Sequence, residues 1–251
     1  MRVKKGNMQK SMIEGNTLKL ILNFSIPLLL GNLFQQFYNV VDAAIVGQTL
    51  GSKALAAVGA SSSVQFLILG FCMGICQGFA IMVSQSFGAK KLDEMHTYIY
   101  AGAIWTAITA FVVSILVVVF CADILHILQV NDEIFKDAYA YLVVIFAGIP
   151  FTLLYNYLSA ILRAIGDSKT PFLFLAFSAF LNIGLDFFCI LVLKWGCAGA
   201  AIATIFAQAV SGILCLLLIA FKVNVLHIPK SSRYVDKQHS LKLLAMGVPM
   251  G

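Results

Sequence analysis

The chain has 251 residues, of which 61% are hydrophobic and 11% charged, and a mean hydropathy of +0.93. Soluble domains are about 45–50% apolar and roughly 25% charged, and disordered chains combine low hydrophobicity with high charge, so both classes are excluded. Seventeen Lys and Arg against eleven Asp and Glu give a net charge of +6, but the basic residues sit in short segments between long apolar runs, the pattern of an integral membrane protein and not the basic, aromatic-rich face of a nucleic-acid binder.

About 20 apolar residues are needed for a helix to cross the ~30 Å hydrocarbon layer. Six runs have that length: 18–46, 56–86, 97–121, 137–161, 171–193 and 197–221; a seventh starts near Ser240 and reaches Gly251. They do not alternate and are two to three times the roughly ten-residue length of transmembrane strands, which predicts an all-α polytopic membrane protein. The expected organisation is an N-terminal cytoplasmic segment over 1–17, a six-helix lobe over 18–221, a cytoplasmic linker over 222–239 and the start of a seventh helix over 240–251.

The N-terminal segment is polar and basic. The run that follows it is far longer than the 7–15-residue core of a signal peptide, so the first helix is expected to be retained. Fourteen of the seventeen Lys and Arg lie on one side, in this segment, in alternate connections and, for Lys19 and Lys242, at the adjoining ends of runs; only Lys53, Lys136 and Lys194 lie on the other. The positive-inside rule then puts the N-terminus and the 222–239 linker in the cytoplasm, in a plasma or inner membrane.

The first run holds Pro27, where a bend is expected because proline lacks a backbone N–H. Gln35, Tyr38 and Asp42 follow at i, i+3 and i+7 and share a face. In the second run, Gly70, Gly74 and Gly78 repeat at four-residue spacing, which lets another helix approach closely. Asn156 is a polar residue inside the fourth run. Arg163 to Asp167 then read as a tight cytoplasmic turn, with Thr170 as the N-cap and Pro171 as the first residue of the next helix.

The fifth run carries Asn182 and Asp186, one turn apart on one face, and the sixth carries Thr204. An acid at mid-membrane costs roughly 2.5–3.5 kcal/mol on insertion scales, so Asp42 and Asp186 mark a polar pocket if their helices converge. Such a pocket takes up a proton, or coordinates a small hard cation such as Na⁺ through carboxylate, Asn and Thr oxygens; a hydrogen-bonded packing network is the alternative. The six cysteines lie in or at the edge of apolar runs and read as small hydrophobes. The four histidines lie in connections or at helix edges and read as solvated. Neither set has metal-ligand spacing. With no nucleophile elbow, metal motif or phosphate loop, an enzyme is not expected, nor any cofactor beyond the proton or cation of such a pocket.

Several stretches in order along the chain resemble the multidrug and toxic compound extrusion (MATE) transporters. They are Ile26-Pro27, Phe37-Tyr38-Asn39-Val40-Val41-Asp42, the Ser84 to Lys91 segment, Leu162-Arg163-Ala164-Ile165-Gly166-Asp167-Ser168-Lys169-Thr170-Pro171, Asn182-Ile183-Gly184-Leu185-Asp186 and Gly199 to Thr204. The resemblance implies two six-helix lobes facing a central cavity. Of these the chain holds the first and the beginning of the seventh helix, so it is expected to be a fragment whose partner is the C-terminal lobe. It further implies export of small organic, often cationic, drugs and toxic compounds by alternating access, in exchange for H⁺ or Na⁺. Asp42, Asn182, Asp186 and Thr204 stand where the family's first-lobe coupling-ion site does, with Gln35, Tyr38 and Asn156 as further cavity candidates. A lipid-linked oligosaccharide flippase of the same superfamily is the nearest alternative, but such cavities are more basic and no Lys or Arg lies deep in a run here; an inactive truncated lobe is the other.

Overall fold

The computed structural model describes residues 17–251, so the basic segment before Thr17 lies outside the described residues. Nine α-helices are found there and no strand: α1 (Thr17–Leu50), α2 (Ser52–Gly88), α3 (Leu92–Val119), α4 (Cys121–Ile127), α5 (Asp132–Ala147), α6 (Ile149–Ala164), α7 (Lys169–Phe187), α8 (Gly196–Lys222) and α9 (Lys237–Met250). Five helices are long and apolar enough to cross a membrane, and six spans result when α5 and α6, bent by 48°, are taken as one. The all-α polytopic expectation therefore holds, with one span broken.

That break replaces the single helix expected over 137–161. Pro150 sits in the first turn of α6, so it cannot donate to the carbonyl four residues back, and the ring obstructs a continuous helix there. The carbonyl concerned, that of Phe146, accepts the buried Ser114 hydroxyl from α3 at 2.7 Å, which satisfies a group that has no water available inside a bilayer. Pro27, where a bend is expected, lies inside α1, which runs from Thr17 to Leu50 without a break; a bend needs no break. Other departures are local. The fifth run ends in a π-helical turn, Phe188–Val192, and two 3₁₀ turns order the 222–239 linker.

The helices enclose a core of Val46, Phe79, Met95, Leu142, Ile149, Leu162 and their neighbours. Large residues on the outer faces, such as Phe66, Phe111 and Phe180, stay exposed, as lipid-facing positions do in a membrane protein. Side-chain hydroxyls tie helices to one another's backbones: Tyr157 donates to the Ile99 carbonyl at 2.7 Å and Tyr155 to the Pro171 carbonyl at 3.0 Å. All six cysteines are buried and free.

The glycine stripe of α2 meets α9. A Cβ on Gly78 would lie 2.6 Å from the Gly247 Cα, and one on Gly74 would collide with the Met250 carbonyl; Gly70 faces open space. Two of the three expected positions therefore allow close approach, and the segment they admit is the seventh helix itself.

The helix start after Arg163 differs from the reading above. Thr170 is inside α7 and does not cap it; the Asp167 carboxylate accepts the backbone N–H groups of Lys169 and Thr170 at 3.2 and 3.0 Å, with Gly166 at φ +90° closing the turn. Arg163 is the penultimate residue of α6, half-buried, not a loop charge. Nor are all the histidines solvated. His96 is buried and its Nε2 meets the Val225 carbonyl of the linker at 2.7 Å.

Candidate functional site

Three helices deliver the polar residues of the core to one place. Asp42 comes from α1, Asn182 and Asp186 from α7, and Thr204 from α8. Asp186 and Asn182 are almost wholly enclosed, at 0% and 1% exposure, and Asp42 is 9% exposed. The Thr204 hydroxyl oxygen accepts both the Tyr38 hydroxyl, at 3.3 Å, and the Asn182 amide, at 3.2 Å. The Asp42 and Asp186 side chains lie within hydrogen-bonding reach of each other.

Tyr141, on α5, lies beside both carboxyls and is buried, with Gln65 of α2 in reach of its hydroxyl. Nothing in the sequence singles it out. A tyrosine in an apolar run looks like any packed aromatic, and only its position opposite two acids distinguishes it.

Donors are scarce at this site. Asp42 Oδ1, both carboxyl oxygens of Asp186 and Asn182 Oδ1 are buried acceptors without a hydrogen-bond partner. A buried acceptor left unpaired costs about 1–3 kcal/mol, more when charged, and like charges in contact compound the cost. Such a set is relieved by a positive species placed among the oxygens: a proton shared by the carboxyls, or a hard cation taking carboxylate, amide and hydroxyl oxygens together.

Gln35 and Asn156 do not join this cluster. With Pro27 they line a separate groove nearer the end of the lobe that carries Arg163. Gln35 lies two helical turns from Asp42, about 10 Å along α1, which explains why a shared face does not make a shared site.

The MatE family model matches residues 27–188. The chain belongs to the MATE family. MATE proteins are multi-pass membrane transporters, not enzymes. The probable multidrug resistance protein YpnP of Bacillus subtilis is 33% identical over 241 residues, which is 95% of this chain and 53% of that protein. A second, YoeA of the same organism and also named a probable multidrug resistance protein, is 30% identical over 233 residues, covering 90% of this chain and 50% of its own. Among solved structures, a multidrug resistance MATE transporter of the MOP superfamily in an outward-facing conformation superposes with a TM-score of 0.87 at 25% identity, over 94% of this chain and 52% of that one. The chain thus spans about half the length of the relatives it matches, and the half it spans is one MATE lobe followed by one more helix.

Proposed function

We propose that the chain forms the first lobe of a cation-coupled exporter of small organic, often cationic, compounds, working by alternating access with a second lobe. H⁺ or Na⁺ is taken up at Asp42, Asn182, Asp186 and Thr204, with Tyr38 and Tyr141 bordering the site. The observation that carries this reading is the pair of buried carboxyls from α1 and α7, surrounded by acceptor oxygens that have no donor. The names of the multidrug resistance relatives support the export of drugs.

Arrival of the ion neutralises the pair and lets α1 and α7 approach; its loss leaves like charges that push them apart. An ion that binds one arrangement better than the other shifts their populations by that difference in affinity, and substrate bound between the lobes is driven by the same equilibrium. The lobe sits in the cytoplasmic membrane with its N-terminus and 222–239 linker inside, the side that the Lys and Arg excess selects.

The test is Asp42→Asn in the full-length transporter, reconstituted in vesicles with an imposed H⁺ or Na⁺ gradient. The amide keeps the shape and cannot take up the ion as a carboxylate does, so gradient-driven dye efflux is expected to fall at least tenfold while insertion stays normal. Efflux at the wild-type rate from Asp42→Asn would sink the proposal. Repeating the assay with each gradient separately identifies the coupling ion.

A further inference from the structure

The groove that holds Gln35 and Asn156 has its own chemistry. It runs between α1, α6, α7 and α8 at the end of the lobe carrying Arg163 and Ser168, with a volume of about 80 Å³. Liquid water takes roughly 30 Å³ per molecule, so the space suits a compact group and is too small for a drug. Its polar lining includes Asn32, Gln35, Asn156, Arg163 and Gln208, and no Asp or Glu lines it.

Arg163 is the central feature. It is half-buried, yet among the described residues it forms no ion pair. The nearest acid in sequence, Asp167, is engaged in capping α7. A partly desolvated guanidinium without a carboxylate is costly to keep unless an anion reaches it. The groove's amides add donors. Asn156 donates one amide hydrogen to the Thr152 carbonyl at 2.8 Å and keeps the other. The Gln208 Oε1 is buried with no partner; a half-turn of that amide presents NH₂ in its place, which an acceptor in the groove would satisfy, and amide oxygen and nitrogen exchange readily in such assignments.

We propose that this groove binds a phosphate group, with the Arg163 guanidinium making the bidentate contact that its planar fork favours and the amides of Gln35, Asn156 and Gln208 completing the shell. The group belongs either to the headgroup of an anionic phospholipid in the adjacent leaflet or to a soluble phosphorylated compound. The site is separate from the Asp42–Asp186 pocket and does not depend on the coupling proposed there.

The experiment uses the purified protein in phosphatidylcholine nanodiscs. Inorganic phosphate is titrated in by calorimetry, and retained phosphatidylglycerol is measured by native mass spectrometry after mixed-lipid reconstitution. At least one probe is expected to bind, at least tenfold more weakly to Arg163→Gln and to Gln208→Glu, with Arg163→Lys intermediate. Phosphatidylglycerol alone identifies a lipid site; phosphate alone identifies a soluble ligand. If neither probe distinguishes wild type from Arg163→Gln, the proposal is overturned. Should Arg163→Gln fail to fold, Gln208→Glu decides, because it keeps the guanidinium and the shape while adding a carboxylate to the groove; wild-type affinity in that variant overturns the proposal equally.

Discussion

Single residues inside an apolar environment are conspicuous because each uncompensated polar atom has a cost. Asp42 and Asp186 could be picked out on composition alone, since acids in apolar runs are rare. Their meeting is a property of the helix arrangement, and so is the recruitment of Tyr141, whose hydroxyl was indistinguishable in sequence from that of a packing tyrosine. Outside the spans, Asp236 shows the same logic in water. Slight desolvation opposes its charge, but the backbone N–H and imidazole of His239 outweigh it and hold the carboxyl below the usual range. A carboxylate with a lowered folded-state value stabilises the fold above its unfolded value, and that stabilisation is lost as pH falls through the lowered one. Protection of the His239 amide against hydrogen exchange, corrected for intrinsic rates, is therefore expected to be constant at neutral pH and to decline below about pH 4. In Asp236→Asn the amide cap keeps an acceptor but no titrating charge, and the decline should vanish.

Elements were legible where their periodicity is long and uninterrupted. The apolar runs of α2, α3, α7 and α8 appear as helices because a span of that length has no other way to pair its backbone in lipid. The α5–α6 break was not foreseen, although Pro150 is plain in the sequence. Pro27 carries the same local signal and leaves α1 continuous, so proline alone does not choose between a break and a continuous helix. What differs is the neighbourhood: Ser114 waits at the freed carbonyl, and Gly148 packs so tightly on Ile205 that a Cβ there would overlap its side chain. Gly148→Ala is accordingly expected to destabilise the lobe by about 1–3 kcal/mol, the usual cost of overpacking, as read by denaturant titration in mixed micelles. Combining it with Ile205→Ala should recover part of that loss. A strictly additive pair would mean that Gly148 and Ile205 do not share the space.

For the molecule as a whole, the described lobe leaves much of α1 uncovered; none of its most apolar stretch is buried. The seventh helix, by contrast, is already seated on Gly74 and Gly78 of α2. Its start is tied down by Asp236 at the N-cap and by His239 against the Tyr98 ring, 4.9 Å away. The placement of the two ends across the membrane rests on the distribution of Lys and Arg and is open to direct measurement. Single cysteines introduced at Lys90 and Lys230 in a background without native cysteines are expected to resist a membrane-impermeant maleimide added to intact cells, while those at Lys53 and Lys194 label. The reverse pattern would invert the topology.

Composition, run length and residue order sufficed, from the sequence by itself, for a polytopic helical membrane protein resembling MATE transporters, with two acids out of place in its spans. These features are local or additive: hydrophobicity sums along a run, and an intramembrane charge is costly wherever the helix lies. Only the tertiary structure decided which polar residues share a pocket. It divided Gln35 from Asp42 although they share a helix face, added Tyr141 from another helix, turned Arg163 into a groove and set the seventh helix on a glycine stripe. Contact between residues far apart in sequence depends on how helices cross and which faces they bury, and one-dimensional spacing does not contain that information.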